Sequence, residues 1–190
     1  AFDIRLIAPE CHTTTIDSWA SGSFRGAKYY ISADDTVNGH MTSMEALVVH
    51  DGSDAYITTY NQHNSNNSLL TLTADMDSSG NVRLLGVSTT ADVKVKFYRI
   101  RLADNESDAS GTDANTIGAV TVSSTATAID TFEHTSYTGA HYVIVGNNSS
   151  EGSASISEAS VLTNGATAFV THGPEVSTKT SNHLEVTATH

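Results

Sequence analysis

Two acidic runs bring chemistry-bearing side chains close together in this sequence. Asp75-Met76-Asp77 leads into Ser78-Ser79-Gly80-Asn81, and Asp104, Glu106 and Asp108 alternate along a polar stretch. Carboxylates at this spacing bind calcium when a loop wraps them around one point. Neither run has the terminal Glu of an EF-hand loop, or helices to flank it, so they read as a solvated turn and a solvated linker. Nine histidines (His12, His40, His50, His63, His134, His141, His172, His183 and His190) are scattered with no pair at strong metal-ligand spacing. Cys11 is the sole cysteine, so neither an internal disulfide nor a cysteine zinc site is available, and it is expected to pack as a small apolar residue. Gly22-Ser23-Phe24-Arg25-Gly26 only resembles a nucleophile elbow, with Ser in the wrong place. No phosphate loop, dinucleotide fingerprint or H-E-x-x-H is present. Tyr60-Asn61-Gln62 sets an aromatic beside two amides and is the best local cluster for a surface or glycan contact. The expectation is therefore no catalytic residues, no metal, no cofactor and no enzymatic activity.

The elements that would hold these residues are set by an internal repeat. Shifting the chain by 113 positions, the offset from Ile16 to Ile129, carries Ile16-Asp17-Ser18-Trp19 onto Ile129-Asp130-Thr131-Phe132. The same shift carries Ser23-Phe24-Arg25-Gly26-Ala27-Lys28-Tyr29-Tyr30-Ile31 onto Ser136-Tyr137-Thr138-Gly139-Ala140-His141-Tyr142-Val143-Ile144. Glu45-Ala46-Leu47-Val48 falls on Glu158-Ala159-Ser160-Val161, and Asp51-Gly52 on Asn164-Gly165, with Tyr56 on Phe169. About a quarter of positions from Ile4 to Tyr60 are identical, without a gap. After one inserted residue, Leu70–Ala74 aligns with Leu184–Ala188. The first copy continues through Val82–Leu85 and Val93–Ile100, whereas the second stops at His190.

Histidines do not recur at matched positions: His50 falls on Thr163, and Lys28 on His141. A metal site shared by the copies would recur. Glu45 and Glu158 do recur, and are expected on the wet face of a sheet, paired across strands. Asp17 and Asp130 recur too, and are expected to bond nearby backbone in a turn. Trp19, Phe24, Tyr29 and Tyr56, with Phe132, Tyr137, Tyr142 and Phe169, read as core anchors of the repeat.

Short β-branched or aromatic runs recur about every ten residues, with turn residues between them. Candidate strands are Asp3–Ile7, Lys28–Ser32, Met44–Val49, Ala55–Thr58, Leu69–Ala74, Val82–Ser88 and Val93–Leu102. Asp51-Gly52 and Asn164-Gly165 are preferred pairs for a tight hairpin turn. Val93, Val95 and Phe97 alternate with Lys94 and Lys96, the signature of one buried and one wet face. No long 3.6-residue period appears, although Ile16–Trp19 suggests a single helical turn. The fold class is all-β, with two tandem antiparallel β-sandwich domains, immunoglobulin-like or jelly-roll. The first spans 1–102, an acidic flexible linker 103–113, and the second 114–190. That second sandwich is incomplete at its C-terminus, the chain being truncated or completed by strands of another chain.

Composition agrees: 38% of residues are hydrophobic and only 16% charged, with Ser, Thr, Asn and Gly carrying the polar balance. A net charge of −12 repels phosphate backbones and anionic membranes, so neither nucleic acid nor membrane is an expected partner. No apolar run approaches the ~20 residues of a membrane helix. The start, Ala1-Phe2-Asp3-Ile4, has neither initiator Met nor a signal-peptide pattern, which points to processing or to a piece of a longer protein.

The words Phe24-Arg25-Gly26-Ala27-Lys28-Tyr29, Glu45-Ala46-Leu47-Val48-Val49-His50-Asp51-Gly52, Ala55-Tyr56-Ile57-Thr58 and Asn81-Val82-Arg83-Leu84-Leu85, in this order, resemble a repeated β-module of virion structural proteins of tailed phages infecting marine cyanobacteria. The resemblance covers most of the first copy and the start of the second. It implies a non-enzymatic virion component, such as a capsid decoration, a fibre, or a tail or neck part, on the exterior surface or an appendage. Expected partners are copies of itself, as a trimer by analogy with fibres and decoration proteins, and other virion proteins. The alternative is a carbohydrate- or cell-surface-binding adhesin module contacting a host-surface glycan, with tandem copies raising avidity.

Overall fold

A computed structural model describes residues 3–7, 13–90, 92–103, 121–123, 125–179 and 184–190 of the chain. These residues form strands and connections, with no helix among them. In the first copy the strands are β1 (Asp3–Ile7), β2 (Thr14–Ala20), β3 (Gly26–Asp35), β4 (His40–His50), β5 (Ala55–Asn64), β6 (Leu70–Met76), β7 (Asn81–Ser88) and β8 (Val93–Leu102). In the second they are β9 (Gly139–Asn148), β10 (Ser153–Thr163) and β11 (Ala168–Ser177). Three antiparallel sheets result, ordered β1-β8-β3-β4-β5, β2-β7-β6 and β11-β10-β9. Of the expected linker 103–113, only Ala103 lies within the described residues, as do neither Cys11, His12 nor His183.

Residue type explains the layering. Along β8, Val93, Val95 and Phe97 are buried while Lys94, Lys96 and Tyr98 are exposed, as period-two alternation requires. One apolar cluster joins the two sheets of the first copy: Tyr29, Ile31, Met44, Ala46, Val48 and Phe97 on one side, Ile16, Trp19, Leu70, Leu72 and Leu84 on the other. Tyr29 sits at its centre, its ring 6.1 Å from Trp19 and 5.9 Å from Phe97. Offset, tilted rings at this range attract by about 0.5–1.5 kcal/mol beyond the area they bury.

Ile16–Trp19 is not a helical turn but part of β2, pairing with β7 through Trp19↔Val82. A register shift between Thr15 and Asp17 marks a bulge at Ile16. The extra residue turns Ile16 inward alongside Asp17 and Trp19, all three being buried. An i, i+3 apolar spacing can thus come from a bulged strand as well as from a helix.

The turns repeat with the strands. Gly52 and Gly165 have φ of 105° and 87°, and Gly39 and Gly152, also one repeat apart, have 69° and 59°. These left-handed values suit glycine. The Asp51 hairpin is a four-residue loop rather than a two-residue turn, because Asp51 N–H donates to the Asp54 carbonyl at 3.1 Å. Asp51 Oδ1 accepts from the Ser53 and Asp54 amides at 2.9 Å each. Asn164 Oδ1 does the same for Ala166 and Thr167 at 3.0 and 2.8 Å.

The second copy departs from the first in what faces its sheet. Residues 127–133, the counterpart of β2, and Leu184–Ala188, the counterpart of β6, form no strand. Tyr142 is half-buried, and Tyr137 and Phe169 are 65% and 56% exposed. Tyr137 and Phe169 are therefore not core anchors, since no second sheet covers them among the described residues.

Candidate assembly interface

The sheet β11-β10-β9 packs against the face of β3-β4-β5 that points away from the first core. Leu47 and Val49 of β4 meet Ala154 and Ile156 of β10, with Tyr56, Tyr60, Leu102, Val143, Val145 and Val176 around them. Strand β4 is thus covered on both faces: Met44, Ala46 and Val48 inward, Leu47 and Val49 toward the second copy. Runs such as Ala46-Leu47-Val48-Val49 reflect this, because alternation disappears when neither face meets water.

A charged cluster lies within this apolar contact. Lys28 on β3 is 2% exposed, and its Nζ lies 2.8 Å from Glu45 Oε2 and 2.7 Å from Glu158 Oε1. The ammonium also sits 4.6 Å from the centre of the Tyr30 ring. Tyr60 OH donates to the same Glu158 oxygen. Glu158 Oε2 lies 3.1 Å from His141 Nε2, and Glu45 Oε1 accepts from Asn61 Nδ2 at 2.9 Å. Burial alone would push the Lys28 ammonium down, but its bonds to Glu158 and Glu45 outweigh it and hold it above the usual lysine range. Burial, then the bond to Glu158, pushes the Tyr60 phenol well up. Burial would raise Glu45, yet Lys28 and Asn61 hold it below the usual carboxylate range. The cluster therefore keeps Lys28 charged and Tyr60 neutral at any ordinary pH.

The repeat explains how the cluster is built. Lys28 lies across from Leu47, two residues from Glu45, and His141 lies across from Ser160, two residues from Glu158. Each copy thus makes the same diagonal pair between its first two hairpin strands. Between copies, Lys28 and Tyr60 both reach Glu158. The residue one repeat after Tyr60 is Gly173, where a Cβ would press on Glu158 Cβ at 3.0 Å. The sequence marks Glu158, with Glu45, as a recurring strand carboxylate that could be a ligand or interface contact but reads better on a wet face, and marks neither Lys28 nor His141 as its partner. The usable signal was that a carboxylate and a basic side chain recur at both matched positions. Glu158 is not on a wet face, as alternation suggested, because a second sheet covers that face.

Asp17 does not bond backbone in a turn. It accepts from Tyr29 OH at 2.9 Å and pairs with Arg99 of β8, inside the first copy. Burial, then the nearby Asp17 carboxylate, pushes the Tyr29 phenol up. Asp130 keeps the tyrosine bond, accepting from Tyr142 OH at 2.8 Å, and adds the backbone bond expected of it, from Thr131 N–H at 2.8 Å.

The remaining candidates are placed as follows. Tyr60, Asn61 and Gln62 do not form one surface patch: Tyr60 turns into the interface, while exposed Gln62 donates to Ser68 Oγ at 2.7 Å. Asn61, with φ of 49°, sits at a bulge where Ser43↔His63 gives way to Glu45↔Tyr60. Trp19 and Tyr29 are core, Phe24 packs half-buried under the Arg101 guanidinium at 4.2 Å, and Phe132 is half-buried. Asp75 is paired with Arg83 at 2.6 Å, and Asp77 Oδ1 accepts from the Ser79 and Asn81 amides at 2.9 Å. Both carboxylates are thus committed to their own turn. Glu106 and Asp108 lie outside the described residues, as does Asp104.

No protein family and no curated protein matches the chain. Among solved structures, the chain is similar to the crystal structure of the Acinetobacter phage vB_ApiP_P1 tailspike protein, at 15% identity and a TM-score of 0.40. That likeness takes in 53% of this chain and 21% of the tailspike.

Proposed function

We propose that this chain is a non-enzymatic structural component of a phage virion, on the exterior surface or an appendage, as a capsid decoration, fibre, or tail or neck part. Its unit is a two-layer β-sandwich that stacks on further units through the outer face of its larger sheet. The nested pairings β1–β8 and β2–β7 favour a jelly-roll winding over an immunoglobulin-like one. Partners are copies of itself, in a trimer, and other virion proteins.

The observation that carries this reading is the interface between the copies. What recurs at the repeat is core, turn and contact chemistry, and the recurring charges are used to dock one module on the next. A buried ion pair adds little net stability over apolar packing, but a misplaced one is costly, so it favours one register over others. That is useful to a protein whose work is assembly. The word-by-word resemblance to virion modules points the same way. The glycan-binding alternative loses its best aromatic, because Tyr60 is engaged by Glu158.

Cryo-electron microscopy of purified particles tests the proposal. The expected result is symmetric density for this fold on the outside of the particle. Absence from particles, with the protein found only inside the host cell, would overturn it. Saturable binding on a glycan array would replace it with the adhesin reading.

A further inference from the structure

Two Asn-Gly pairs sit in hairpin turns: Asn38-Gly39 between β3 and β4, and Asn164-Gly165 between β10 and β11. An asparagine followed by glycine can react with its own backbone, because no side chain on the next residue blocks the approach of its nitrogen to the carboxamide carbon. Exposure does not separate the two pairs, since all four residues are exposed. Both glycines also have positive φ, 69° and 87°. Their hydrogen bonds do separate them.

Asn164 Oδ1 accepts from the Ala166 and Thr167 amides at 3.0 and 2.8 Å. Two backbone donors on one carbonyl oxygen are the arrangement of an oxyanion hole. They draw charge from the carbonyl carbon and stabilise the oxyanion that forms when a nucleophile adds to it. The nucleophile here is the Gly165 nitrogen, whose N–H donates to Thr163 Oγ1 at 3.1 Å rather than to a strand partner. Among the described residues nothing accepts from the Asn164 side-chain NH2, so the leaving group is not tied. Asn38 is the reverse on each count. Its Nδ2 donates to Asp35 Oδ2 at 2.8 Å, and among the described residues its Oδ1 accepts no bond. Gly39 N–H is held by the Asp35 carbonyl at 2.9 Å.

We infer that Asn164 is a self-modification site, deamidated by attack of the Gly165 nitrogen on the Asn164 carboxamide, while Asn38 is protected. The Gly165 N–H gives its proton to solvent base, the nitrogen bonds to Asn164 Cγ, and ammonia leaves, closing a succinimide ring. Water then opens the ring at one carbonyl or the other, giving aspartate or isoaspartate. The balance is water in and ammonia out, with no oxidant or reductant. The aspartate product fits the turn, because Asp51 at the matched position accepts from the Ser53 and Asp54 amides at 2.9 Å each. The isoaspartate product lengthens the backbone by one CH2 and breaks the 3.2 Å bond from Asn164 N–H to the Thr167 carbonyl. Conversion to aspartate gives the second copy the titratable cap that the first copy already has at this turn.

The test incubates the full chain at neutral and at mildly alkaline pH, native and in urea, and follows both sites by peptide mass spectrometry with isoaspartate detection. In the native protein Asn164 should convert at least about tenfold faster than Asn38, a modest share of what oxyanion-hole donors supply. The rate should rise with pH, because the attacking amide must lose its proton. In urea, where both pairs lie in an open chain, the two rates should converge. Asn164→Gln, whose longer side chain closes a less favoured ring, should remove the fast product and leave the slow Asn38 rate unchanged. Equal native rates, faster conversion at Asn38, or no native conversion of Asn164 over a period in which the urea-unfolded chain reacts at both sites would each overturn the inference.

Discussion

In the first copy Tyr29 is fully buried between two sheets, whereas Tyr142, one repeat later, is half-buried beside a cavity. Both donate to an aspartate at matched positions, at 2.9 and 2.8 Å. Their strands pair alike with the next strand, and their hairpins close on the same side-chain cap. The difference lies in what covers them: β2, β6, β7 and β8 in the first copy, and coil in the second. The hairpin register and turns are thus kept in both copies, while the burial of the matched tyrosines differs with what faces them among the described residues.

The largest expected effect comes from the contact the two copies share. Lys28→Ala should lower stability by about 3–5 kcal/mol in urea unfolding, because it leaves buried Glu158 and half-buried Glu45 without their shared cation. His141→Ala, at the matched position, should cost under about 1 kcal/mol, since that side chain is 51% exposed. Equal costs would mean that the interface does not distinguish the copies. Asp17→Ala should cost about 2–3 kcal/mol by leaving Tyr29 and Arg99 without their acceptor. Asp130→Ala should cost less than half of that in the same assay.

Glycine substitutions sharpen the comparison further. A Cβ at Gly26 would lie 2.9 Å from the Val48 carbonyl and 3.3 Å from Ile156 and Val145 side chains. One at Gly139 would lie 2.7 Å from the matched Val161 carbonyl and from Leu162 Cδ2. Alanine at either position should destabilise by about 1–3 kcal/mol, read from the thermal midpoint. Gly26 should be the worse, because β3 is held on both sides while, among the described residues, β9 has a neighbour on one side, and Leu162 is 62% exposed.

Acid should loosen the first copy before the second. Hydrogen bonds from the Asn38 side chain and backbone N–H hold the Asp35 carboxyl at about 2. Burial would raise Asp51, but the Asp54 and Ser53 amides outweigh it and hold it below its ordinary value. These depressed carboxylates stabilise fully above their ordinary value of 3.8, and the contribution drains away as pH falls toward 2. Their repeat counterparts, Asn148 and Asn164, cap the same turns with amides that do not titrate. Exchange of the Val37, Asn38, Ser53 and Asp54 amides should therefore accelerate on acidification, relative to base-line exchange of Glu151, Ala166 and Thr167. The smallest effect is expected for Asp51→Asn at neutral pH, within about 0.5 kcal/mol of wild type, since Asn164 already does this work. A larger loss would mean that the two turns are not equivalent.

Much of the sheet architecture was legible in the residues. Alternation in Val93–Phe97, the Asp-Gly and Asn-Gly turns and the gapless repeat all express local backbone and side-chain preferences. Ile16–Trp19 was misleading because a bulge and a helical turn both bring residues three apart to one side. Tyr60-Asn61-Gln62 looked like a surface patch because a bulge at Asn61 is not written in any local motif. In the second copy the matching register shift falls between Ser157 and Ala159, next to Gly173-Pro174, so different residues build a similar bend. The charged cluster was half visible: Glu45 and Glu158 recurred, but nothing local indicated that Lys28 of one copy reaches Glu158 of the other.

By itself the sequence determined that the protein is a tandem β-repeat with capped hairpins, because strand period and turn chemistry act over a few residues. Tertiary structure alone decided which face of each strand is covered, and by what. Alternation separates two faces but does not say whether water, a second sheet or another module lies beyond each. For the hairpin sheet of the first copy the answer is protein on both sides, which is why Lys28, Glu45 and Glu158 meet in a contact rather than in solvent.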